Sequence, residues 1–76
     1  MSKASTLTEK EFYATLTRQL RDRRKALGLT QLDVAMKIGV SDYMVTKWEV
    51  GLKMPTAFGL MCWCQVLGVQ LMVLHE

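Results

Sequence analysis

Four times along this chain a serine or threonine is followed, after a short apolar-periodic stretch, by a glycine: Thr8 to Gly28, Thr30 to Gly39, Ser41 to Gly51 and Thr56 to Gly68. A hydroxyl at a helix start accepts from amides that have no partner within the helix. A glycine just past a helix end takes the left-handed turn that stops it. This punctuation restricts the chain to a run of short helices with very little loop between them.

The first segment opens on Thr8-Glu9-Lys10-Glu11, which fits a capping box. It predicts a helix to about Leu27, with Phe12, Leu16 and Leu20 on one face. Thr30 caps a second helix over Gln31 to Ile38, with Asp33 favourable at its positive end and Val34, Ala35 and Ile38 as the buried stripe. Ser41 is expected to cap a third, in which Val40 and Val45 fit a hydrophobic staple, ending near Val50. After Lys53-Met54-Pro55, Thr56 caps a fourth over Ala57 to Leu67, and Gly68 stops it. The fold class is therefore all-α, with four helices or five.

Beyond Gly68, Val69, Leu71 and Val73 alternate with Gln70, Met72 and Leu74. That is a strand pattern with both faces mostly apolar. A strand in a helical chain needs a partner for its amides and carbonyls. The simplest partner is the same strand of a second copy across a two-fold axis, which makes Val69, Leu71, Met72, Val73 and Leu74 the expected dimer interface. The other reading is a short fifth helix packed on the first. β-Branched content and length favour the strand. The chain then divides into a flexible N-terminus (1–8), a helical domain (9–68) and a dimerisation strand (69–76).

At 76 residues there is room for one domain. Such a domain is marginally stable, so a partner chain would help. Half the residues are apolar, which excludes a disordered chain. All ten Lys and Arg residues lie before Met54, whereas Met54 to Leu74 carries no charge. The greasy stretch is about long enough to cross a bilayer. However, Pro55, Gly59, Gln65, Gly68 and Gln70 interrupt it, so no membrane span is expected. Met1 to Thr8 is polar and small, unlike a secretory signal, and a reduced, cytoplasmic protein is expected. Cys62 and Cys64 point in different directions on a helix, so buried, unreactive thiols are expected rather than a disulfide or a metal pair. No cofactor or metal is expected. Nor is an enzyme: the chain lacks a nucleophile–base pair, a phosphate-cradling glycine loop and a metal cluster, and its one histidine, His75, is expected to be exposed near the end.

The basic two-thirds is either an ordinary solvated surface or the footprint of an anionic partner such as nucleic acid. The helix pair around Gly39 favours the second. Two short helices joined by a tight glycine turn make a helix-turn-helix unit, whose second helix enters the major groove. A step of about 100° per residue sets Ser41, Val45, Trp48 and Glu49 on one side of that helix, with Tyr43, Lys47 and Val50 opposite and Met44 and Thr46 flanking. Val45 and Trp48 are the expected core anchors. Lys47 can donate to guanine, Tyr43 can stack or touch a thymine methyl, Met44 and Thr46 can contact thymine methyls, and Asp42 can accept from cytosine. Asp42 has a second reading, since an acid in a first turn is stabilising with no ligand at all. Phosphate contacts are expected from Gln31 at the start of the second helix, from Lys37 and Lys53, and from among the arginines and lysine that end the first helix, Arg18, Arg21, Arg23, Arg24 and Lys25.

Residues 20–68 resemble the XRE-type helix-turn-helix family, which includes phage lambda-type repressors and Cro proteins. The pattern that carries the resemblance is Leu27-Gly28-Leu29-Thr30-Gln31, Val34-Ala35, Ile38-Gly39-Val40-Ser41, Val45, Trp48-Glu49, Gly51, Pro55 and Leu67-Gly68-Val69. The resemblance implies a helical domain that dimerises on an operator, probing bases with Asp42, Tyr43, Met44, Thr46 and Lys47. It supports Gln31 on phosphate, and Arg21, Ser41, Lys37 and Lys53 are the other expected phosphate contacts. It also implies that Arg24 pairs with Glu49, which moves Arg24 from the DNA surface to the scaffold. Positions 58, 59, 62 and 65 are usually polar there and here hold Phe58, Gly59, Cys62 and Gln65, a more apolar set, so the outer face of the fourth helix is expected to be covered by a dimer mate or another protein. The tail is similar to that of HipB-type antitoxins, which bind an operator and a toxin. Two functions follow as expectations: a dimeric, sequence-specific regulator, most simply a repressor on a palindromic operator; or an antitoxin or adaptor that holds a partner protein through its apolar last third.

Overall fold

The computed structural model describes residues 8–70. They form α1 (Glu9–Ala26), α2 (Gln31–Ile38), α3 (Asp42–Val50) and α4 (Ala57–Val66), and no strand occurs among the described residues. Leu71, Met72, Val73, Leu74 and His75, and with them most of the expected dimerisation strand, lie outside the described residues.

The helix starts follow from their caps. Thr8 Oγ1 accepts from the Glu11 N–H at 3.1 Å, and the Glu11 carboxylate accepts from the Thr8 N–H at 3.0 Å. Thr30 and Asp33 make the same reciprocal pair at 3.0 and 2.9 Å. Thr56 Oγ1 accepts from the Gly59 N–H at 3.0 Å. Ser41 differs from expectation: it is the N-cap of α3, but its side chain makes no capping bond. The ends are closed by backbone. Gly39 (φ 91°) and Gly51 (φ 82°) sit in the left-handed region, where a Cβ is strained. The next amides then turn back, Val40 N–H to Ala35 O at 3.0 Å and Leu52 N–H to Lys47 O at 2.9 Å.

Asp33 shows what a cap does to charge. The Thr30 backbone N–H, then the Thr30 hydroxyl, and finally the nearby Lys37 hold its carboxyl below the usual carboxylate range. A lowered folded value means stabilisation that is present above the unfolded value and is lost as pH falls through the folded one. Thr30→Ala is expected to lower the unfolding free energy by about 1 kcal/mol. It should also flatten the acid side of the stability profile below about pH 4. Denaturant titration across that range checks both.

The four helices close over a core of Leu20, Val34, Ala35, Val45, Trp48, Leu60, Trp63, Cys64 and Leu67. α2 packs against α3 and α4, and α1 against α3. Trp63 is fully buried, and its ring stands 5.2 Å from that of Trp48, tilted by 37°. Phe12 corrects the expected α1 stripe: it is exposed and stands edge-on to Tyr13 at 5.3 Å. The part of α1 that meets the core begins at Leu16, so the first turns outrun the shorter helices beneath. Arg23 Nε donates to Leu67 O at 2.9 Å and so fastens α1 to the end of α4. Val69 is half-buried against the core, its N–H donated to Cys64 O at 3.0 Å. Both cysteines are free, and burial pushes the Cys64 thiol upward. Among the described residues no helix is long and apolar enough to cross a membrane.

Candidate nucleic-acid interface

Only Gly39, Val40 and Ser41 separate α2 from α3. The left-handed Gly39 reverses the chain, and half-buried Val40 pins the turn to the core. α3 is thereby held by its inner side. Val45, Trp48 and Glu49 are buried, whereas Asp42, Tyr43, Lys47 and Val50 are exposed. Tyr43 is 72% exposed. A helix held in this way offers its outer residues to a groove wide enough for one helix.

The two flanking residues are less free. Met44 is half-buried and packs against the core cluster, so its thioether turns partly inward. Thr46 is half-buried too, and its hydroxyl donates to Gln31 Oε1 at 2.6 Å.

That bond belongs to a polar chain across three helices. Arg24 Nε and Nη2 donate to the two Glu49 carboxylate oxygens at 2.7 and 3.0 Å. Arg24 Nη1 donates to Leu29 O at 2.9 Å, so one guanidinium ties α1 to α3 and to the loop before α2. Gln31 Nε2 donates to Glu49 Oε1 at 2.9 Å. The side chains of Arg24 and Glu49 are 10% and 2% exposed, so this is a buried pair with its spare acceptors satisfied. Sequence reasoning saw Gln31 only as a surface group. Its partners Glu49 and Thr46 lie 18 and 15 positions away, and no sequence signal pointed to them.

The expected phosphate-contacting residues are spread out. Gln31 stands at the first turn of α2, and Ser41 at the start of α3 with an uncommitted hydroxyl. Lys37 is exposed in the last turn of α2, and Lys53 is exposed in the loop after α3. Arg21 is half-buried and lines the same cleft as Lys53, between α1 and that loop.

Two short helices across a left-handed glycine, the second with a polar outer face, define a helix-turn-helix unit. The Helix-turn-helix family matches residues 20–74, and the chain belongs to this family, of XRE type; it is a DNA-binding transcription regulator. No curated protein matches the chain.

Proposed function

We propose that the protein is a dimeric repressor that occupies a palindromic operator, with α3 of each copy in the major groove. One observation carries the reading: Tyr43 and Lys47 point away from the core on a helix whose other side is anchored by Val45 and Trp48. Asp42, at the tip of the same helix, completes the base-reading set, with Thr46 and Met44 at its margin. Gln31, Ser41, Lys37 and Lys53 grip phosphates and fix register. Val69 to Leu74 of two copies pair to hold the dimer.

The test is selection of bound DNA from a random pool. Two half-sites about 10 bp apart are expected, one per recognition helix. Lys47→Ala and Tyr43→Ala should each lose roughly 5- to 150-fold in discrimination, about 1–3 kcal/mol per base contact, with the melting temperature unchanged. Affinity should fall steeply with salt as counterions are released. Equal affinity for selected and random duplex would refute the reading. Deleting residues 69–76 should abolish the dimer in sedimentation, and a full-strength dimer after deletion would refute strand pairing.

A second reading, a subunit that holds a toxin or another partner protein, is favoured by α4. Phe58 is 76% exposed and Met61 53% exposed on a helix with no charged residue. Copurification with the product of a neighbouring gene, lost in Phe58→Ser, tests it.

A further inference from the structure

We infer that the cleft between α1 and the loop after α3 is a binding site for a small organic anion with a flat apolar body. The cleft has a volume of about 390 Å³, within the ~300–1,000 Å³ of small-molecule sites. Its chemistry is two-sided. Lys10, Arg18 and Arg21 line it from α1, and Lys53 from the loop. Tyr13 and Trp48 supply aromatic wall, extended by Met54 and Pro55.

Glu49 is the one carboxylate along the lining, and it does not oppose an anion. Both its oxygens already accept from Arg24, and one also accepts from Gln31. The Thr17 hydroxyl is likewise engaged, donating to Tyr13 O at 2.8 Å.

Two donors on lining residues are buried and have no acceptor: Arg21 Nε and Trp48 Nε1. Asp22 stands 3.8 Å from Arg21 Nε, too far for a hydrogen bond. Buried N–H groups without partners are uncommon and call for an explanation. A carboxylate or phosphate supplies acceptors to an arginine fork, and an attached ring would lie against the aromatic wall. Lys10, Tyr13 and Arg18 precede residues 20–74, the part that matches the family, whereas Arg21, Trp48 and Lys53 lie within it. The inference does not depend on the operator reading.

The test titrates the full chain with benzoate, indole-3-acetate and phenyl phosphate, following the Trp48 indole N–H by nuclear magnetic resonance. At least one anion should move that resonance saturably, and its uncharged counterpart (benzamide, indole-3-acetamide or phenol) should not. Arg21→Gln should weaken binding by at least about tenfold, the loss of a charge-assisted pair. Lys53→Gln, an exposed loop change, should weaken it less, and Phe58→Ser should leave it unchanged. Should Arg21→Gln fail to fold, Lys53→Gln decides. An unmoved Trp48 resonance with all three anions, equal binding of the neutral compounds, or indifference to both substitutions would overturn the site. A response to random duplex DNA alone, weakened by Arg21→Gln, would overturn it also and make the cleft part of the backbone-gripping surface.

Discussion

Glu49→Ala is expected to lower the unfolding free energy by about 3–5 kcal/mol, the cost of breaking one side of a buried ion pair. Small domains hold only about 5–15 kcal/mol in all, so this variant should be largely unfolded on modest warming. The reason lies in what remains. The Arg24 side chain, 10% exposed, would keep its bond to Leu29 O but lose the carboxylate that receives Nε and Nη2. Gln31 Nε2 would lose its acceptor in the same step. Replacing both partners together, as Arg24→Met with Glu49→Leu, removes the stranded charge and should recover most of the loss. Thermal melts of the single and double variants decide the matter. A single variant that melts with the wild type would mean the pair does not hold α1 to α3.

Trp63→Ala should cost a similar amount, about 3–5 kcal/mol, by a different route. Trp63 is fully buried and stacks on Trp48 at the centre of the cluster. Its removal leaves a cavity that the surrounding helices can close only in part. Its indole N–H has no partner, so the side chain contributes by volume and contact rather than by a hydrogen bond. Trp63→Phe, which keeps a ring and deletes the unpaired donor, should therefore lose far less than the alanine variant. Equal losses in denaturant titrations would assign the effect to the indole nitrogen instead.

Much of the fold was legible because its signals are local. Caps and glycines act within a few residues, and Gln31–Ile38 has the bounds the pattern predicts. The first and last helices stop one residue short of the predicted Leu27 and Leu67, which instead serve as C-caps. Phe12 misled because periodicity marks a face but not how far the core extends along it. Ser41 misled because residue type permits a cap without compelling the rotamer that makes one. At the interface, the inward turn of Val45 and Trp48 followed from helical phase. The links from Gln31 to Glu49 and Thr46 did not, since they join side chains 18 and 15 positions apart, where spacing carries no information. The cleft beneath Arg21 was hidden for the same reason.

Gln31 shows what such links do. Its amide nitrogen is committed to Glu49 and its oxygen to Thr46, which leaves one donor and one acceptor still open. Two bonds thus fix the amide within the folded chain. In the proposed reading, where Gln31 holds a phosphate, the ordering cost of about 0.5–1.5 kcal/mol that a wandering side chain incurs on association would already have been met during folding.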